Sequence, residues 1–303
     1  MKIKLIVFII ILGIIITGCS DNGYEEYEKA VIKTDNLNSG KIKFEGNYLI
    51  NFNEEEFSVE DYKKAKLYSN YKFKGTSIFD KEAEKNNFYG NIEFAKLGFD
   101  LEYFKDKNME YLKIPFLGKY IDLSNLDEFK EIELKNSNFD FNSKSFEMDP
   151  EMINKISELW TEKISDENVF KGKKFLMSTP EGDVKVIKYT VSFSDEILKE
   201  LIYKTVLLYD ESIETGFLDE IVVEEFNYDA YVDIDGYIIE ENFNVSYRFD
   251  DVLEINYFEL DFKLINYDLN EKQEFENINL DESKLLKAKD LENIINNGIK
   301  LER

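Results

Sequence analysis

Apolar side chains recur along this chain in two rhythms. In four stretches they return every three or four residues, which gathers them on one side of a helix. Tyr24, Tyr27, Val31 and Thr34 follow Asn22, and Ile153, Ile156, Trp160 and Ile164 follow Asp149. Ile197, Leu201, Ile202, Thr205 and Leu208 follow Ser194, and Leu285, Ala288, Leu291 and Ile295 follow Asp281. Asn, Asp and Ser accept the free amides of a first turn, so each leading residue reads as a helix cap. Each helix then presents one apolar face that must pack on something.

The second rhythm is alternation, the mark of a strand with one buried face. A two-residue turn at Asp235-Gly236 pairs Ile234 with Tyr237, Val232 with Ile239, Tyr228 with Phe243 and Phe226 with Val245 on an apolar face. The opposite face sets Asp233 against Ile238, Tyr231 against Glu240, Asp229 against Asn242 and Asn227 against Asn244. Glu241, opposite Ala230, is the main intruder on the apolar side. A one-residue slip would turn the apolar row outward, so the pattern fixes the register. A second hairpin turns near Lys107-Asn108, with Phe99, Leu101 and Tyr103 beside Phe116, Ile114 and Leu112, and Glu102 against Lys113. Phe258, Leu260, Phe262 and Leu264 alternate with Glu259, Asp261 and Lys263, and segments 42–52, 70–79, 88–96, 173–178 and 184–193 read as further strands. The fold class is α+β, one long antiparallel sheet carrying a few helices.

The N-terminus follows neither rhythm. Lys2 and Lys4 precede an apolar run from Leu5 to Ile16, too short for a bilayer-spanning helix of roughly 20 residues and typical of a signal-peptide core. Ile16-Thr17-Gly18-Cys19, ending in the chain's single cysteine, resembles a bacterial lipobox. The resemblance implies cleavage before Cys19, lipidation of that residue and a membrane-anchored mature chain. Residues 1–18 are then a signal peptide, 19–22 the lipidated Cys and a short tether, and 23–303 a single domain on the outer face of the cell membrane. Two acyl chains, as a diacylglyceryl group provides, suffice for stable attachment.

Composition narrows the chemistry. The 303 residues include no histidine, so Ser-His-Asp and Cys-His machinery and His-bearing zinc sites are excluded. One cysteine excludes internal disulfides, zinc ribbons and iron–sulfur clusters. A formal charge of −25 argues against nucleic acid as a partner. The Asp-Gly turn has the look of half an EF-hand, but Tyr231 and Asn242 stand where charged end ligands belong. No enzyme activity, metal or cofactor is expected.

The segments Lys29-Ala30-Val31-Ile32-Lys33-Thr34, Tyr111-Leu112-Lys113-Ile114-Pro115-Phe116, Tyr189-Thr190-Val191-Ser192-Phe193-Ser194 and Asp233-Ile234-Asp235-Gly236-Tyr237 are similar to parts of bacterial lipoproteins with an unclosed β-barrel. That superfamily includes lipoprotein-localisation carriers and mycobacterial-type lipid-carrying lipoproteins. The resemblance implies a curved antiparallel half-barrel wrapping its helices and sheltering an acyl chain on its concave side. The expected ligand-binding residues are Phe226, Tyr228, Val232, Phe243, Val245, Tyr247, Phe258, Leu260 and Phe262, because they supply apolar area without fixed charge. Aromatic residues make up 15% of the chain, enough both to fill a core and to line a pocket. The competing expectation is an envelope interaction or sensor module whose acidic surface recruits a cationic partner over a dry interior.

Overall fold

The computed structural model describes residues 23–94, 97–114, 118–123, 150–208, 216, 219, 221–249, 255–276, 282–287 and 289–290. Strands β1 (Ser39–Phe52), β2 (Asn70–Asp80), β3 (Lys85–Phe94), β4 (Leu97–Asp106), β5 (Met109–Ile114) and β6 (Lys119–Asp122) form one antiparallel meander. A second meander comprises β7 (Val169–Thr179), β8 (Gly182–Val191), β9 (Ile221–Asp233), β10 (Ile238–Phe249) and β11 (Ile255–Tyr267). The two are joined where β1 pairs with β11, from Lys41 opposite Tyr267 to Phe52 opposite Ile255. The result is one eleven-stranded sheet in the order β6-β5-β4-β3-β2-β1-β11-β10-β9-β8-β7. Its two ends, β6 and β7, do not meet, so the sheet is half-barrel-like and unclosed. With four α-helices among the described residues, α1 (Tyr24–Asp35), α2 (Val59–Lys66), α3 (Pro150–Thr161) and α4 (Asp195–Leu207), the fold is α+β as expected.

Helix α1 begins one residue later than its sequence suggests. The cap is Gly23 and not Asn22, which lies outside the described residues, and it makes no side-chain cap hydrogen bond. The reason is space and backbone shape: Gly23 sits at φ 156°, and a β-carbon there would come within 3.0 Å of Lys171 Cβ. Helix α4 is capped as expected, with Ser194 Oγ accepting from the Ile197 amide at 3.4 Å. Helix α2, with strand β6, is absent from the alternation reading. Its eight residues bury none of their side chains, so no apolar face announces it; the Ser58 hydroxyl accepting the Asp61 amide marks its start. Cys19 and the signal-like segment lie outside the described residues, as do Asp281, Ala288, Leu291 and Ile295 of the expected C-terminal helix. Among the described residues no helix is long and apolar enough to cross a membrane.

The Asp-Gly hairpin keeps its expected register over most of its length: Tyr228 faces Phe243, Phe226 faces Val245, and Glu241 faces Ala230. The turn itself differs. Val232 faces Ile238 instead of Ile239, and the loop is three residues, Ile234 to Gly236, closed by the Asp233 amide donating to the Tyr237 carbonyl at 2.9 Å. A two-residue turn needs positive φ at both central residues, whereas this loop needs it only at Gly236, where φ is 83°. An irregularity at Ile239 restores the register by Glu240. Ile234, expected opposite Tyr237, is 69% exposed at the loop tip. The tip is tied to α1: the Lys33 ammonium donates to the Asp235 carbonyl, and the Ile238 amide donates to Thr34 Oγ1 at 2.9 Å. The Lys107 hairpin keeps the expected register where it is paired, with Glu102 opposite Lys113 and Tyr103 opposite Leu112, and Phe116 lies outside the described residues.

Candidate functional site

The nine apolar residues expected to hold a ligand come together on one patch of β9, β10 and β11. Phe243 faces Phe262, Val245 faces Leu260, and Tyr247 faces Phe258 across the β10–β11 ladder. Eight of the nine are buried and Phe226 is half-buried. What buries them is the helices: α1 lies on β10 and β7, and α4 lies on β9 and against α3. Trp160 of α3 rests beside Phe193 and Phe226, its ring centroid 6.2 and 6.3 Å from theirs, and its indole N–H donates to Thr205 Oγ1 at 3.4 Å. Each such large side chain contributes about 1.5–3 kcal/mol by leaving water, so this half of the face anchors the fold.

One polar feature is built into that packing. Glu241, the carboxylate intruding on the apolar row, accepts a hydrogen bond from the Tyr228 hydroxyl, which in turn accepts one from Tyr27 of α1 at 3.4 Å. The chain of three groups links helix to sheet. Burial pushes the Glu241 carboxyl up to about 7, against the lowering effect of the Tyr228 hydrogen bond and with help from the nearby negative charge of Asp35. Asp35 is itself raised, chiefly by burial.

Beyond β1 the same face changes character. Phe44, Phe73, Phe88, Phe94, Phe99, Leu101 and Tyr103 point to this side and are only partly buried, while Leu97 is 58% exposed. Phe88, Phe94, Phe99, Leu101 and Tyr103 lie outside the cluster of buried residues that the helices complete. The rings stack in a row across the strands: Tyr48 to Tyr71 at 4.5 Å, Tyr71 to Phe94 at 5.4 Å and Phe94 to Phe99 at 5.1 Å between centroids. Beside this row three glycines leave room for rings to lie flat on the sheet. A β-carbon at Gly46 would meet the Phe73 ring at 2.3 Å, one at Gly75 the Phe44 ring at 2.8 Å, and one at Gly90 the Phe88 ring at 2.6 Å. Gly75 and Gly90 face each other, and Gly46 faces Phe73. The arrangement is an apolar floor, wide across four strands and bordered at one end by Lys105 and by Glu110, which accepts from the Tyr103 hydroxyl at 2.7 Å; its rings suit dispersion contact with a flexible hydrocarbon.

Alternation placed Phe99, Leu101 and Tyr103 on one face but gave no reason to assign them a ligand. The signal for the floor is Phe-x-Gly repeated in three successive strands: Phe44-Glu45-Gly46, Phe73-Lys74-Gly75 and Phe88-Tyr89-Gly90. Glycine inside a strand costs stability and marks a place where something approaches closely.

Comparison with known proteins adds distant likenesses among solved structures. No family model matches the sequence, and no curated protein matches it. Among solved structures, a LolA superfamily protein from Nitrosomonas europaea is similar at 8% identity and a TM-score of 0.21, over 89% of this chain and 100% of that one. A β-barrel-like protein of a domain of unknown function from Brucella abortus is similar at 9% identity and a TM-score of 0.22, over 77% of this chain and 99% of that one. Similarity this slight carries no weight for ligand or activity, and the fold stands on its own strand order.

Proposed function

We propose that the protein is a membrane-tethered, extracytoplasmic binding protein that holds a hydrophobic, acyl-chain-bearing ligand on the aromatic floor of β1–β4. It acts by binding and not by turnover, and its anchor is the lipid on Cys19. The observation that carries the reading is the Phe-x-Gly floor, which leaves large apolar rings partly exposed on a face whose other half is packed under helices. Such exposure is costly unless something covers it, and an acyl chain asks for no hydrogen bonds in return. Burying about ten methylenes would supply on the order of 8 kcal/mol before ordering costs, enough for micromolar binding or weaker.

The test is native mass spectrometry of the protein purified from cells, followed by solvent extraction and titration with decanoate. A lipid that co-purifies, or decanoate that binds wild type and fails to bind Phe94→Asp, supports the reading. Repeated preparations with no lipid and no decanoate binding would discard it. For the anchor, Cys19→Ser should abolish lipid labelling and leave unprocessed precursor, and efficient signal removal in that variant would count against lipoprotein processing. A second reading, an interaction module recruiting a cationic envelope partner, is favoured by the dry packing of the helix-covered half together with the charge of −25. A failed lipid titration would promote it.

A further inference from the structure

The opposite face of the sheet holds a cavity of about 510 Å³, within the size range of small-ligand sites. It lies across β3, β2, β1, β11, β10 and β9, at the middle of the sheet and behind the aromatic floor. Gly46, Phe73, Phe243 and Phe262 form one cross-strand row whose side chains belong to the other face, so here they contribute only backbone floor. The walls are two polar rows. One runs Asn91, Lys74, Glu45, Lys263, Asn242, Asp229 from strand to strand, each residue opposite the next. The other runs in the same way from Glu93 through Lys72, Asn47, Asp261 and Asn244 to Asn227.

On the β9–β11 side the polar groups are largely engaged with one another. Lys263 pairs with Glu240 at 2.8 Å, Asp229 accepts from Thr190 Oγ1 at 2.6 Å and pairs with Lys188 at 2.8 Å, and Asn244 donates to Asp261. On the β1–β3 side fewer are: Asn91 donates to Asp100 at 3.0 Å, but among the described residues Glu45, Lys72, Lys74 and Glu93 make no side-chain hydrogen bond or ion pair, although Lys74 stands directly opposite Glu45 and Lys72 opposite Glu93. Two acceptors are also left over. The side-chain oxygens of Asn47 and Asn244 are buried and accept no hydrogen bond among the described residues. Leaving a buried acceptor unpaired costs about 1–3 kcal/mol, a cost that a bound donor removes. The Asn47 amide turns easily about its last torsion, so its oxygen needs little movement to meet a ligand in the cavity, whereas the Asn244 amide is held by its bond to Asp261.

We propose that this cavity is a second ligand site and that it takes a neutral, polyhydroxylated ligand, a short oligosaccharide. Three features select that chemistry. The walls set four carboxylates against three lysines, so neither a polyanion nor a cation finds a single-signed field. Neither wall row contains an apolar residue, so hydrogen-bonding groups flank the floor on both sides. Five asparagines, each able to donate and accept at once, match hydroxyl groups that do the same.

The inference stands apart from the acyl-chain reading, because the two sites lie on opposite faces and share no side chain. Its test is isothermal titration calorimetry of the purified protein with maltotriose and with the trisaccharide of N-acetylglucosamine. At least one should bind saturably with a Kd below about 1 mM. Asn47→Leu and Lys74→Met should each weaken that binding about tenfold or more, since each leaves ligand hydroxyls without a partner. Phe94→Asp, on the other face, should leave it unchanged. Circular dichroism confirms folding, and Asn47→Ser replaces the leucine variant should that one not fold. No binding of either trisaccharide, or binding that both wall substitutions leave intact, overturns the proposal.

Discussion

The two halves of the apolar face are built from the same alternation yet differ in what lies over them. On β9–β11 the side chains meet Tyr27, Trp160 and Leu201 from the helices and are sealed. On β2–β4 the rings of Phe73, Phe88, Phe94 and Phe99 lean on glycines and on each other, and stay partly exposed. Alternation reports which side chains share a face. Whether that face becomes core or site is decided by the partner layer, and that is a property of helix placement, not of the strand.

The sharpest way to break this contrast is to put a charge in each half. Phe243→Asp places an unpaired carboxylate in the sealed core and should cost more than about 4 kcal/mol, in practice no folded protein by circular dichroism. Phe94→Asp, in the open half, should cost only about 1 kcal/mol in urea unfolding while abolishing hydrophobic-ligand binding. Equal losses in both variants would erase the distinction between the halves.

A second test uses pH and concerns only the sealed half. The Glu241 carboxyl holds its proton to about 7 in the folded protein, against 4.5 in an exposed chain. Between those values the folded state binds more protons than the unfolded one, so stability is greatest below about 4.5 and falls as pH rises to about 7. The loss is on the order of 3 kcal/mol. Glu241→Gln removes the titrating group and should flatten that slope relative to wild type in chemical denaturation at a series of pH values. An unchanged slope would show that the carboxylate is not held as the buried geometry implies.

A third test concerns the glycines of the open half. Gly75→Ala sets a β-carbon 2.7 Å from the Tyr89 carbonyl and 2.8 Å from the Phe44 ring, and should cost about 1–3 kcal/mol. Gly98→Ala is the control, since its nearest neighbour atom is 3.7 Å away, and it should change the melting temperature little.

The strands of the β9–β10 hairpin were legible because turn chemistry and alternation agree there, and the error at its tip came from a choice between two glycine-bearing turns that share one dipeptide. The α+β class with its antiparallel sheet was legible from strand rhythm and helix faces, and the half-barrel from the resemblance to unclosed-barrel lipoproteins. Strand β6 and helix α2 were not, because four residues are too few for a rhythm and a short helix that packs only Tyr62 and Ala65, partly buried, on the core carries a weak one. The nine expected ligand residues carry the richest apolar pattern in the chain. Sequence pattern is strongest where packing is densest, and these residues lie beneath the helices. The Phe-x-Gly repeat is subtler because its meaning depends on three strands being neighbours in that order, which no single segment reveals.

The seam between β1 and β11 also governs how the molecule comes to exist. Every other pairing in the sheet joins strands that are consecutive in the chain, whereas Lys41 and Tyr267 are more than two hundred residues apart. Each meander can zip from its own turns, but the seam waits for the last strand, and pairing of such high sequence separation is slow. Until β11 arrives, β1 presents one free hydrogen-bonding edge with Phe44, Tyr48 and Ile50 along it, a template for the wrong partner. The final strand is therefore less a piece of the core than the cap that ends the chain's most aggregation-prone interval.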